Sequence, residues 1–132
     1  MSSVTAGRSE LEDRCAVRMV DFEHVEAVRQ RLPADDELAR LTQLYQLLGD
    51  PTRARLLYAL VEGGELCVCD LAAAIDASET TVSQALRLLR TAQVVHARRA
   101  GRTMRYRLDD AHVRMLLDLS REHLRHTQPE EA

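Results

Sequence analysis

The chemistry this sequence could perform is concentrated in its cysteines and in a histidine-bearing segment near its C-terminus. Cys67 and Cys69 stand two residues apart, with Cys15 far upstream. Three cysteines in a reducing compartment do not make a disulfide framework, so ligation or thiol redox chemistry are the special roles open to them. A lone intracellular cysteine is most often a small buried hydrophobe. A Cys-x-Cys pair fits that reading less well. This pair falls where a helix should begin, after the Gly63-Gly64 break. Two residues along a regular helix rotate by about 200°, so chelation by both requires a frayed first turn. A helix start also lowers thiol pKa and favours the thiolate. With Cys15 on a mobile arm the set becomes three sulfurs, a soft donor set that selects Cd²⁺, Pb²⁺ or As(III).

Asp110, His112, His123 and His126 form the second constellation. From His112 to His123 a helix turns about 1100°, within about 20° of whole turns, and His123 and His126 are neighbours at i,i+3. One stripe of a C-terminal helix would carry all three imidazoles, with Asp110 at its mouth. The same span rises about 16 Å, and one ion with ligands at about 2 Å cannot reach both ends within a chain. An antiparallel partner helix would bring Asp110 and His112 of one copy beside His123 and His126 of the other. That geometry implies a homodimer with two equivalent sites, suited to Zn²⁺, Co²⁺ or Ni²⁺. The alternative is a set of exposed helix histidines, some complementing the helix C-terminus.

The net charge of −3 hides a split. From Thr80 to Leu108 there is no acidic residue, and seven arginines occur: Arg87, Arg90, Arg98, Arg99, Arg102, Arg105 and Arg107. Such a basic stretch is the electrostatic footprint of a DNA-binding face. At its start, Ser78-Glu79-Thr80-Thr81-Val82-Ser83-Gln84 opens a helix with small hydroxyls and one amide in its first two turns, as a recognition helix does in the major groove. Ser78 reads as an N-cap. Thr80, Thr81 and Ser83 can reach base edges or phosphates, and Gln84 can pair bidentately with adenine. Leu86 and Leu89 should pack inward, leaving Arg87 and Arg90 near the DNA backbone. Arg98, Arg99, Arg102 and Arg105 surround a hairpin tip, placed for phosphate or minor-groove contact. An ordinary solvated helix face is the competing reading of the hydroxyl cluster, and the basic hairpin that follows argues against it.

The elements that must position these groups follow from periodicity and punctuation. Phe22, Val25 and Val28 suggest a short helix within Asp21 to Arg31, interrupted at Pro33. Leu38, Leu41, Leu44, Tyr45 and Leu48 form an apolar stripe ending at Gly49. Asp50-Pro51 caps a helix that breaks at Gly63-Gly64. Glu65 to Ile75 is expected as a helix, Asp76-Ala77 as a tight turn, and Ser78 to about Gln93 as the second helix of the motif. Val94–Arg98 and Thr103–Leu108 read as strands joined at Ala100-Gly101, a β-wing. Asp109-Asp110 caps a last helix from about Ala111 to His126. The fold class is mainly α with a small β-wing, a winged helix-turn-helix. Residues 1–20 are expected to be a flexible arm carrying Cys15. Residues 21–126 should be the domain, dimerising through helices near 36–48 and 111–126, and residues 127–132 a disordered tail.

With no Trp and one Phe, the core must be aliphatic, drawn from residues such as Leu44, Leu47, Leu48, Leu56, Leu57, Leu60 and Ile75. No window approaches the roughly 18 apolar residues of a membrane span. The start, MSSVTAGRSELEDR, has no apolar core and carries acidic residues, so it does not read as a signal peptide. A cytoplasmic location is expected, with no membrane partner. No His-Glu-x-x-His string, phosphate loop or nucleophile elbow points to an enzyme.

Glu65-Leu66-Cys67-Val68-Cys69-Asp70-Leu71, Val82-Ser83-Gln84, the Gly101-Arg102…Tyr106 wing and Asp-x-His followed by His-x-x-His resemble the ArsR/SmtB family of metalloregulators over about residues 36–126. The segment with Cys15 ahead of a short helix is similar to the cadmium/lead-sensing branch. The resemblance implies a homodimer whose apo form binds an inverted-repeat, double-stranded operator and lets go when metal binds, usually controlling an efflux or detoxification gene. It also implies that Cys67 and Cys69 pair with cysteines of the other subunit's arm. That branch commonly has a second arm cysteine where this chain has Met19, a poor ligand for Cd²⁺ or Pb²⁺. A three-sulfur site is therefore expected, completed by water, Asp21 or His24. Cd²⁺ and Pb²⁺ are the expected effectors there and Zn²⁺ at the helical site, with As(III) second because the family's arsenic sensors place their cysteines differently. The rival of another kind is a thiol-redox repressor of the same fold.

Overall fold

Capping residues decide where the helices begin. The computed structural model describes residues 20–127. Helix α1 (Phe22–Arg31) starts at Asp21, whose carboxylate accepts from the His24 amide at 3.0 Å. Helix α2 (Asp35–Leu48) opens on Asp35, Asp36 and Glu37, charges that suit a helix N-terminus. Asp50 accepts from the Arg53 amide at 2.9 Å and Pro51 takes the first position of α3 (Pro51–Gly63). The cap satisfies one orphan amide, and proline, lacking an N–H, removes another. Gly64 ends α3 at φ 83°, a conformation that favours glycine.

One compact unit ends at Leu38 and the other begins at Ala39. The first contains α1, none of whose residues is buried; its expected apolar stripe, Phe22, Val25 and Val28, is exposed. The second unit runs on through β1 (Leu66–Cys67), α4 (Val68–Ile75), α5 (Glu79–Thr91), β2 (Val95–Ala100), β3 (Thr103–Leu108) and α6 (Ala111–Thr127). Its core is aliphatic, as the composition required. Leu56, Leu57 and Leu60 of α3 meet Leu71 and Ile75 of α4, Val82, Leu86 and Leu89 of α5, Val94, Val95 and Leu117 of α6. Leu44, Leu47 and Leu48 pack on it only partly buried. The Tyr58 hydroxyl donates to the Leu117 carbonyl at 2.8 Å, tying α3 to α6.

Helices α4 and α5 are the expected helix-turn-helix. Asp76 takes the left-handed conformation (φ 57°, ψ 52°) that lets the chain turn sharply, and Ser78 caps α5. Four elements have boundaries that differ from expectation. No helix begins at Glu65. Leu66 and Cys67 instead pair antiparallel with Tyr106 and Arg105, and α4 starts one residue later, at Val68. The wing is therefore a three-stranded sheet in the order β1-β3-β2 rather than a hairpin alone. Strand β2 is shifted toward the tip, so the connecting residues are Gly101 and Arg102, with Ala100 opposite Thr103. Gly101 at φ 66° supplies the positive φ that a two-residue hairpin needs at its first position. Finally, α5 stops at Thr91 and α6 includes Thr127. Cys15, Met19 and residues 128–132 lie outside the described residues. Within those described, no helix is long and apolar enough to cross a membrane.

Candidate metal centre and nucleic-acid interface

The short strand β1 resolves the geometric objection to Cys67 and Cys69 as joint ligands. Cys67 is the N-cap of α4, with extended backbone (φ −88°, ψ 172°), while Cys69 lies in its first turn. Because only one of them is helical, the roughly 200° separation does not apply. Their sulfurs are 3.4 Å apart. Two thiolates on one tetrahedral ion at about 2.3 Å lie about 3.8 Å apart, so the pair fits a shared ion with little movement. A carboxylate oxygen of Asp70 joins them, all three donor atoms lying within 4.8 Å of one another. Sequence reasoning passed over Asp70, although its place directly after Cys69 was a readable signal. Among the described residues this is the only such cluster of three metal-ligating groups.

The expected lowering of thiol pKa fails at Cys69. The Cys67 thiol beside it, and then the charges of Asp70 and Glu79, push the Cys69 thiol above its usual range. A bound cation would reverse the sign of that repulsion.

The helical constellation is divided along α6, as its spacing required. Asp110 caps the helix: Oδ1 accepts from the Val113 amide at 3.1 Å, and Oδ2 is 3.7 Å from His112 Nδ1. That amide, with His112 nearby, holds the Asp110 carboxyl below its usual range. His112 is 90% exposed. At the far end the exposed His126 bonds Glu122 through Nε2 at 2.8 Å, and His123 is exposed. Glu122 is a further acidic neighbour that the i,i+4 spacing could have announced. Within one chain, then, the structure brings Asp110 to His112 but neither to His123 nor to His126.

Thr80, Thr81, Ser83, Gln84 and Arg87 of α5, expected to meet DNA, are exposed. Ser78 is committed to capping: its oxygen accepts from the Thr81 amide at 3.0 Å, and its O–H donates to Thr81 Oγ1 at 2.9 Å. On the wing the arginines divide. Arg99 and Arg102 are exposed near the tip. Arg98 and Arg105, expected at the DNA, face each other midway along the β2–β3 hairpin and are held there by Glu65. Arg98 donates to both Glu65 oxygens at 2.9 and 2.8 Å, and Arg105 donates to the Glu65 carbonyl at 3.2 Å. The bonds and charge of Arg98, then of Arg105, hold the Glu65 carboxyl below its usual range. Glu65 sits far from these partners in sequence, and no local pattern marks it.

The profile of bacterial regulatory proteins of the arsR family matches residues 50–97. A transcriptional repressor SmtB homolog from Synechocystis is 41% identical over 83% of this chain and 83% of its own. The chain belongs to the ArsR/SmtB family. It is a transcriptional regulator, not an enzyme. A cadmium resistance regulatory protein, a CadC homolog from Staphylococcus aureus, is 34% identical over 81% of this regulator and 88% of its own length. The homodimeric winged helix-turn-helix DNA-binding domain of a possible ArsR-family regulator from Mycobacterium bovis superposes with a TM-score of 0.68. It is 25% identical and covers 76% of this chain and 95% of its own. These likenesses place the ArsR/SmtB regulator in the winged helix-turn-helix class that its topology describes.

Proposed function

We propose that this metal-sensing ArsR/SmtB repressor binds an inverted-repeat operator as an apo homodimer and releases it when a soft ion, Cd²⁺ or Pb²⁺, binds Cys67 and Cys69. The observation that carries the reading is the 3.4 Å approach of two sulfurs at the mouth of the first helix of the DNA-binding motif. The thiolate donor set suits thiophilic ions, and the cadmium-resistance relative points the same way. Cys15 of the partner subunit's arm completes a three-sulfur site, with Asp70 or water as the further donor. Soft ions bring thiolate chemistry here; Asp70 and Glu79 attract the cation, and Cys67 anchors it to β1.

Homodimerisation is supported by the M. bovis domain and by apolar side chains left bare on α6: Met115, Leu116, Leu119 and Leu124. A second effector site for Zn²⁺, made by Asp110 and His112 of one subunit with His123 and His126 of the other, is favoured by the Asp110–His112 pair preformed at one end of α6. In either case each ligand favours a different dimer geometry, with a coupling free energy of typically about 1–3 kcal/mol. Anisotropy of a labelled operator duplex, titrated with Cd²⁺, Pb²⁺, Zn²⁺ and As(III), tests the assignment. Cd²⁺ or Pb²⁺ should dissociate the complex at the lowest free concentration. Release by peroxide alone, reversed by thiol reductant, would replace it with the redox reading.

A further inference from the structure

An open cleft of about 540 Å³ lies between α5 and β3, lined by Ser83, Leu86, Arg87, Arg90, Thr91 and Tyr106. Five of these six residues are polar. Ser83, Arg87 and Arg90 follow one another at four- and three-residue steps and so share one stripe of the helix, with Thr91, four residues after Arg87, at its edge. Tyr106 faces that stripe from the central strand of the wing, where it pairs with Leu66 and Ala97. No ion pair among the described residues engages Arg87 or Arg90, whereas Arg98 and Arg105 are both taken by Glu65. Among the described residues no carboxylate pairs Arg87 and Arg90 here, Arg99 and Arg102 near the wing tip, or Arg107 on β3, and of these only Arg87 and Arg90 line the cleft. Small-molecule sites are mostly apolar and enclose their ligand. A cleft with two guanidinium groups and three hydroxyls suits a phosphodiester, which accepts bidentate bonds from arginine. Ser83 also belongs to the base-reading turn, so the cleft continues the face that meets DNA.

We infer that this cleft seats one backbone phosphate of the operator, held by Arg87 and Arg90 with hydroxyl support from Tyr106, and that it fixes the register of the recognition helix. The inference rests on the DNA-binding reading above. Phosphate contacts position a protein on the duplex without reading sequence. Arg90→Ala should thus weaken operator and unrelated duplex alike, by about tenfold, and lower the slope of log K against log salt by about one unit. Arg90→Lys should restore the slope but not all of the affinity, because it keeps the charge and loses the fork. Tyr106→Phe should weaken both duplexes without altering the slope.

The test is operator anisotropy for wild type and the three variants across a salt series, with melting temperature and Cd²⁺ stoichiometry measured on the same samples. Unchanged affinity and slope in Arg90→Ala, with wild-type melting temperature and normal Cd²⁺-driven release, overturns the inference while the repressor reading stands. The same result, with millimolar inorganic phosphate raising the melting temperature of wild type but not of Arg90→Ala, overturns it in favour of a free-anion site. Wild type that fails to bind any operator overturns both.

Discussion

Acidifying the solution should weaken Cd²⁺ binding with a steepness that Cys67→Ser reduces. Cys67 is the largest cause of the raised Cys69 pKa, with Asp70 and Glu79 adding to it. A thiol whose pKa lies above neutrality carries its proton there, and an entering ion must expel it. Affinity therefore rises with pH, about tenfold per pH unit for each proton displaced. Two thiols 3.4 Å apart give about a hundredfold change per unit. A third thiol from the partner subunit's arm would make it about a thousandfold. Cys67→Ser removes one of these protons outright and also the neighbour that most raises Cys69. The slope should fall by at least one log unit per pH unit. Cd²⁺ titrations against a competing chelator between about pH 6 and pH 8, followed by thiolate-to-metal charge-transfer absorbance, measure it. A slope unaltered by Cys67→Ser would refute joint ligation, and an affinity independent of pH would refute thiolate ligation altogether.

The remaining predictions concern DNA, core and assembly. Arg102→Ala, at the exposed wing turn, should flatten the salt dependence of operator binding by about one unit of slope, whereas Arg98→Ala should change it by much less because Glu65 already neutralises that guanidinium. Equal effects of the two would show that the Glu65 pair opens on DNA. Leu71→Ala, at a side chain with no exposed surface, should cost about 2–5 kcal/mol in denaturant unfolding. A loss below about 1 kcal/mol would contradict the packing of α4 on α3. Leu119→Glu places a charge on a side chain 63% exposed in the single chain. If α6 lies in the dimer interface, sedimentation should show a shift toward monomer with the helical content retained; an unchanged dimer would move the interface elsewhere.

Much of this architecture was legible because local chemistry dictates it. Asp50-Pro51 and Ser78 announce the starts of α3 and α5 through groups that satisfy the first amides, and those helices begin where the caps say. Thr103–Leu108 was readable from its strand composition after a glycine turn. What escaped depends on partners distant in sequence. Strand β1 has two residues and no period of its own, and exists because Leu66 and Cys67 find Tyr106 and Arg105. That pairing is also what keeps Cys67 out of the helix and brings the sulfurs together, so the local objection to chelation was removed by a tertiary contact. The Glu65–Arg98 pair spans from the end of α3 to the wing in the same way, and it redistributes the positive charge that composition alone spread evenly. For α6 the spacing of His112, His123 and His126 correctly separated the two ends of the helix. Joining them needs the second copy.

The most direct test of the account is metal-driven release of a labelled operator duplex by wild type, Cys67→Ser and His112→Ala. Wild type and His112→Ala should dissociate with Cd²⁺ at similar free concentrations. Cys67→Ser should remain bound while keeping apo affinity within a few-fold of wild type. If Cys67→Ser releases DNA normally with Cd²⁺ and His112→Ala does not, the sensor is the site on α6 and the thiolate assignment is wrong.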